Sequence, residues 1–170
     1  MRKIVAGFAI SLDGFIAGVN NEIDWIIIDK EIDFAEQMKR FDAYLIGRKT
    51  YELSRQTGGN SFGKSKVYIF SNTFTEVEKP FKLIKGDATK KVNEIKNEDG
   101  KDIALFGGGE LLTSLLNLDL VDEISLAVIP IILGKGIPFI KELNKRVPLT
   151  LIKSKTYSNG TVQLSYEVNK

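Results

Sequence analysis

The 170-residue chain contains no cysteine and no histidine. Without cysteine there is no disulfide, no thiol nucleophile and no thiolate metal site. Without histidine there is no imidazole base, which excludes catalytic triads, most zinc sites and histidine-based proton relays. Acid–base chemistry is left to carboxylates, lysine, tyrosine or water, and no metal site is expected. No apolar run approaches the ~20 residues of a membrane span. Residues 4–10 are apolar but too few, and without the small-residue cleavage pattern, to read as a signal peptide. Charge of one sign is also scarce: the net charge is +2, and the most lysine-rich stretch, 76–102, sets seven lysines against seven acids. That balance reads as a solvated face rather than a nucleic-acid track. The expectation is a cytoplasmic protein with no nucleic-acid or membrane partner.

What is present is ordinary for a globular domain: 43% hydrophobic and 27% charged residues. A chain of this length folds as one domain, here 1–170, and buries roughly 70% of its unfolded surface. The pattern alternates strands with helices. Strands are predicted at 4–10, 43–46, 67–70, 82–85 and 103–106, and helices at 30–41, 48–55, 88–98 and from 110. The first of these helices rests on Phe34, Met38 and Phe41 at i, i+4 and i+7. Residues 121–132 form a long apolar strand interrupted by Pro130, which suits an edge or a strand end. Val162, Leu164, Tyr166 and Val168 alternate with polar residues after the turn chemistry of Ser158-Asn159-Gly160, which predicts a closing hairpin. The fold class is α/β, with a largely parallel sheet and an antiparallel C-terminal hairpin.

Three strand ends carry chemistry. Phe106-Gly107-Gly108-Gly109-Glu110-Leu111 sits between a buried strand and a helix marked by Leu111, Leu112, Leu115 and Leu116. Glycines there let a ligand approach the backbone, and the free N–H groups of a helix start favour an anion; a tight turn without a ligand is the alternative. Gly47-Arg48-Lys49-Thr50 repeats the arrangement with two cations in the first helical turn. Each cation opposes the macrodipole by about 0.3–1 kcal/mol, a conflict that an anionic ligand relieves. Ser71-Asn72-Thr73 offers donors at a third strand end. Ligands of α/β sheets bind at such carboxyl ends. By contrast, Gly58-Gly59-Asn60-Ser61-Phe62-Gly63-Lys64-Ser65 matches a phosphate-loop pattern but has a helix before it and a strand after it, the reverse of what that loop requires.

Together with Ser11-Leu12-Asp13-Gly14-Phe15-Ile16-Ala17 and the late segment Pro130-Ile131-Ile132-Leu133-Gly134-Lys135-Gly136-Ile137-Pro138-Phe139, these motifs occur in one order along nearly the whole chain. In this the chain resembles the dihydrofolate reductase-like superfamily, specifically its bacterial branch related to the reductase domain of riboflavin biosynthesis. The resemblance implies a twisted, mostly parallel sheet flanked by helices, and NADPH as cofactor. It implies that Gly47, Arg48, Lys49 and Thr50 hold the pyrophosphate and the neighbouring adenosine phosphate. Ser71, Asn72 and Thr73 would meet the adenosine half with its 2′-phosphate. Phe106, Gly107, Gly108, Gly109, Glu110 and Leu111 would cradle the pyrophosphate from the other side, with the Glu110 carboxylate turned outward. Ala9, Ile16 and Ala17 would line the nicotinamide.

The departures concern catalysis. Dihydrofolate reductases carry Pro-Trp and then one carboxylate that binds the pteridine, whereas this chain has Asp24-Trp25 followed by Asp29, Glu31 and Asp33. Counting back from Gly47 without gaps places Glu31 at the carboxylate position; a surface acid is the alternative. Asp13 is a candidate polar group at the pocket or a turn former before Gly14. Trp25 is a candidate substrate platform or plain core. The expected function is an NADPH-dependent reductase that passes hydride to a C=N or C=O bond of a small heterocyclic (pterin- or pyrimidine-like) or sugar-linked substrate. The alternative is a non-catalytic dinucleotide-binding module. A homodimer is expected through 121–132 and the apolar residues that follow, unless the sheet's own helices cover that strand.

Overall fold

The computed structural model of the protein describes residues 1–56 and 62–170. Part of the glycine-rich stretch 58–65 lies outside the described residues, but its flanks are a helix before and a strand after, as read above.

The frame is an eight-stranded sheet. In chain order its strands are β1 (Ile4–Ser11), β3 (Phe41–Gly47), β4 (Lys66–Phe70), β5 (Lys82–Ile84), β6 (Asp102–Leu105), β7 (Glu123–Ile129), β9 (Leu149–Thr156) and β10 (Val162–Val168). Two further short strands, β2 (Phe15–Ala17) and β8 (Ile137–Pro138), pair with each other. The spatial order is β5-β4-β3-β6-β1-β7-β10-β9. Neighbours from β5 to β7 pair in parallel, and β10 then runs antiparallel to both β7 and β9. The helices are α1 (Phe34–Met38), α2 (Arg48–Gln56), α3 (Ala88–Lys96) and α4 (Gly109–Asn117).

Because side chains alternate across a strand, each central strand serves two layers. Ile4 and Ala6 of β1, Leu45 of β3, Ile103 and Leu105 of β6 and Ile124 of β7 join Val92 and Ile95 of α3 and Leu112, Leu115 and Leu116 of α4 in the main core. Leu45, Ile103, Leu105, Leu112 and Leu115 are fully buried. Each such burial stabilises the fold by roughly 1.5–3 kcal/mol, and truncation of any one to alanine costs about 2–5 kcal/mol. On the opposite face Tyr44, Ile46, Val67, Ile69 and Ala104 pack with Tyr51 of α2. That layer covers only the half of the sheet around β3 and β4. Over β1, β7 and β10 the same face presents Val5, Gly7 and Ala9, then Ser125 and Ala127, then Gln163 and Ser165, all of which line an open cleft.

Two sequence expectations are corrected here. The helix expected at 30–41 is confined to Phe34–Met38, started by the Asp33 carboxylate accepting from the Glu36 N–H. It buries no residue, and Phe41, the third member of the apolar triplet, opens β3 instead. The apolar strand expected over 121–132 is shorter, and of the two placements that Pro130 suited it is a strand end rather than an edge. It ends at Ile129, just before Pro130, and lies between β1 and β10, with Ile124 in the main core, Leu126 packed against it and Ile129 buried. Of the large apolar residues in 121–140, Ile132 alone is strongly exposed, at 69%.

Candidate functional site

The cleft has a volume of about 1440 Å³ and opens along the carboxyl ends of β1, β3, β4 and β6. Its construction starts from two glycine turns. The Gly47 N–H donates to the Gly107 carbonyl at 2.8 Å, and the Phe106 N–H donates to the Leu45 carbonyl at 3.0 Å, which joins the β3–α2 turn to the β6–α4 turn. The Gly107–Gly108 peptide is cis, and Gly107 has φ of 121°, a conformation that favours glycine. A Cβ on Gly107 would also stand 3.2 Å from the Thr50 hydroxyl. At Gly109 a Cβ would sit 2.7 Å from the carbonyl oxygens of both Pro138 and Phe139, so no side chain fits. Gly108 caps α4 without any side-chain hydrogen bond to the first-turn amides. Both α2 and α4 thus point their amino termini, each with partial positive charge, at one cleft.

Every position assigned to the cofactor by resemblance lines this cleft: Ala9, Ile16 and Ala17; Gly47, Arg48, Lys49 and Thr50; Ser71, Asn72 and Thr73; and Phe106, Gly107, Gly108, Gly109, Glu110 and Leu111. The cations are not free. Arg48 pairs with Glu52 one turn along α2, at 2.9 Å, and Lys49 pairs with Glu110, also at 2.9 Å. The same Glu110 oxygen accepts from Lys141 at 2.7 Å. Lys141 and then Lys49 hold the Glu110 carboxyl far below its ordinary value of 4.5, at about 2. Two lysines of the cleft lining thus neutralise this carboxylate. At the third turn the Ser71 hydroxyl accepts from the N–H groups of Thr73 and Phe74, and Asn72 Oδ1 accepts from the Gly86 N–H.

The three remaining candidates, Asp13, Glu31 and Trp25, are not among the residues lining the cleft. The Asp13 carboxylate accepts from the Ser11 hydroxyl at 2.7 Å and from the N–H groups of Leu133 and Gly134 at 3.1 and 2.8 Å. Chiefly through Ser11, these bonds hold its carboxyl below the ordinary range. It fastens the late loop to the end of β1. Glu31 is 61% exposed and lies 3.8 Å from Lys155, and Trp25 donates its indole N–H to the Glu22 carbonyl.

Polar residues of the closing hairpin form a part of the cleft that the sequence reading did not find. Gln163, Ser165 and Thr161 of β10 and its approach, Lys153 and Lys155 of β9, and Ser125 of β7 all line it. The Thr161 hydroxyl is completely buried and has no hydrogen-bond partner among the described residues. Their signal was the polar half of the alternation in 161–167, which period two places on one face; nothing in the sequence says that this face borders a cleft rather than open solvent. At the far end Glu123 is buried and accepts from Lys3 at 2.7 Å and Arg40 at 2.8 Å. Burial opposes its ionisation, and the bonds from Arg40 and Lys3 outweigh burial, leaving its carboxyl below the ordinary value. Isoleucines 23, 27 and 28, each more than half exposed, form an apolar rim.

A twisted, mostly parallel sheet with paired glycine turns over one cleft defines the dihydrofolate reductase-like class. The model of the RibD C-terminal domain family matches residues 2–163, and the chain belongs to that family. The uncharacterized protein YyaP of Bacillus subtilis is 35% identical over 180 residues, covering 99% of this chain and 96% of YyaP. A crystal structure of a candidate riboflavin biosynthesis protein from Shewanella sp. PV-4 superposes with a TM-score of 0.88 at 28% identity, over 99% of each chain. Dihydrofolate reductase from Enterococcus faecalis shares the fold at a TM-score of 0.65 and 12% identity, over 99% of this chain and 97% of that one.

Proposed function

We propose that the chain is an NADPH-dependent reductase that transfers hydride to a C=N or C=O bond of a small heterocyclic or sugar-linked substrate. The observation that carries this reading is the Gly47–Gly107 hydrogen bond, which turns two glycine-lined helix starts toward one cleft. A pyrophosphate fits that cradle because the first-turn amides of α4 have no side-chain cap and two cations stand beside them. The Enterococcus dihydrofolate reductase, which shares this fold, carries NADP(H) in its structure. The cofactor supplies the hydride, and the protein supplies orientation and exclusion of water. Gly47 to Thr50 and Gly107 to Leu111 hold the phosphates, Ser71 to Thr73 the adenosine end, and Ala9, Ile16 and Ala17 the nicotinamide.

Every acid on the cleft lining is already paired: Glu36 with Lys39, Glu110 with Lys49 and Lys141, and Glu123 with Lys3 and Arg40. With Asp13 and Glu31 off the lining, ordered water delivers the proton in this reading. The absence of an unpaired carboxylate on the described lining also favours a second reading, a module that binds the dinucleotide without turnover. NADPH oxidation with pterin- and pyrimidine-type substrates separates the two: oxidation that depends on substrate supports the enzyme, and tight binding with no oxidation supports the module.

The protein acts as a homodimer in this reading. The exposed apolar surface lies less on the segment after 121 than on the edge strand β9, where Leu149, Leu151 and Ile152 are 42%, 53% and 54% exposed. Light scattering at micromolar concentration should give twice the 19.0 kDa chain mass. A mass of one chain rules the dimer out.

A further inference from the structure

With no cysteine in the chain, sulfur occurs only at Met1 and Met38. Met1 is 89% exposed. Met38 is partly buried, ends α1 and lines the cleft. Its thioether accepts a hydrogen bond from the Tyr44 hydroxyl at 3.7 Å, the one such bond of that hydroxyl among the described residues. Tyr44 is only 7% exposed, and its ring meets those of Phe62 and Phe106. The sulfur therefore stands at the border between an aromatic layer and the open cleft.

Little else fastens α1. The helix has five residues, too few to be stable by itself, and it fully buries none of them. Phe34, its other large apolar residue, is 45% exposed. Met38 is the α1 residue that packs on the layer formed by Tyr44, Ile46 and Tyr51. The Gln163 amide reaches Gln37 only at 3.5 Å, the limit of a hydrogen bond. Firmer ties begin past the helix, where the Lys101 ammonium donates to the Lys39 carbonyl at 2.8 Å and Arg40 pairs with Asp102 and Glu123. Those ties hold the start of β3 and confine any loosening to α1.

Oxidation of a thioether exchanges a soft apolar group for a strong dipole. A sulfoxide oxygen has two lone pairs, and Tyr44 offers one proton. The layer behind it is apolar and aromatic, so an acceptor half satisfied there is less stable than one turned into water.

We propose that Met38 is an oxidation site on the cleft wall, and that its sulfoxide loosens α1 from the sheet. The sulfur gives up two electrons and gains one oxygen atom from hydrogen peroxide, whose O–O bond breaks and whose other oxygen leaves as water. No bond of the chain breaks. Phe34, Glu36 and Gln37, which line the cleft beside Met38, move with the helix. The inference does not depend on the reductase reading.

The test treats the folded protein with hydrogen peroxide and then removes the excess with catalase. Peptide masses follow the oxygen gained at Met1 and at Met38. They also give the initial rate at which a glutamate-specific protease cuts after Glu36, in the middle of α1. Met38 should oxidise within about tenfold of the rate at Met1, because it borders the cleft. Protein oxidised at Met38 should be cut after Glu36 at least about fivefold faster than untreated protein. Met38→Leu, which conserves volume, should still gain oxygen at Met1 and show no faster cutting. A Met38 that stays unoxidised until the protein unfolds overturns the proposal. So does oxidation that leaves the cutting rate unchanged, or that lowers it because Tyr44 grips the new oxygen. Faster cutting that survives Met38→Leu overturns it as well.

Discussion

Gly47 and Gly107 are 60 positions apart in the chain, yet the N–H of the first donates to the carbonyl of the second at 2.8 Å. With the bond from the Phe106 N–H to the Leu45 carbonyl, it extends the β3–β6 pairing into the two turns and frames the mouth between two helix starts. Side chains are excluded around it for different reasons at successive positions, which allows the roles of backbone shape and ligand access to be separated.

Gly109→Ala should destabilise the fold by about 1–3 kcal/mol, because its Cβ would meet the Pro138 and Phe139 carbonyls at 2.7 Å and neither can retreat without moving β8. Gly108→Val should behave differently. Gly108 has φ of −93°, open to any residue, and its Cβ would meet only the Thr50 hydroxyl, at 3.3 Å. The valine side chain would instead intrude on the proposed pyrophosphate position and weaken NADPH more than about tenfold, with a smaller loss of stability. Thermal unfolding and calorimetry on the two variants check the contrast; a Gly108→Val protein that binds NADPH as well as the parent would contradict it.

Glu110→Gln should tighten NADPH binding a few-fold, since the mouth loses a negative charge while Lys49 and Lys141 remain. The gain should shrink as salt is added. Stability should fall by no more than about 1 kcal/mol, because the ion pairs are half exposed and screened. The sign with pH follows from the depressed carboxyl. Its contribution is present above the ordinary value of 4.5 and disappears as pH falls toward about 2. The melting-temperature gap between parent and variant should therefore close over that acidic range. Weaker NADPH binding by Glu110→Gln would instead mean that Glu110 positions the lysines.

The order and type of most elements were legible because apolar runs and glycine turns follow local rules: the bounds of α2, β4, β5 and α3 fall within one or two residues of those read from the sequence. The cofactor side of the cleft was legible for the same reason, since its residues sit in short motifs at strand ends. What was not legible depends on pairing between distant strands. The apolar length of β7 suggests an exposed patch until β1 and β10 are seen on either side of it. The bonds from the Leu133 and Gly134 amides to Asp13 span 120 and 121 positions, so no local pattern announces them. The alignment of Lys153, Ser165 and Ser125 in one row exists only in the register of three strands. The short β2–β8 pair leaves too few residues for any periodicity to mark.

The central claim is that the paired glycine turns, the Arg48 and Lys49 cations and the Ser71–Thr73 turn form a site for a dinucleotide carrying a 2′-phosphate. Titration calorimetry of the purified protein with NADPH and NADH tests it most directly. The account predicts that NADPH binds and that NADH binds at least about tenfold more weakly, a difference of roughly 1.4 kcal/mol. Equal dissociation constants, or no binding of NADPH, would contradict it.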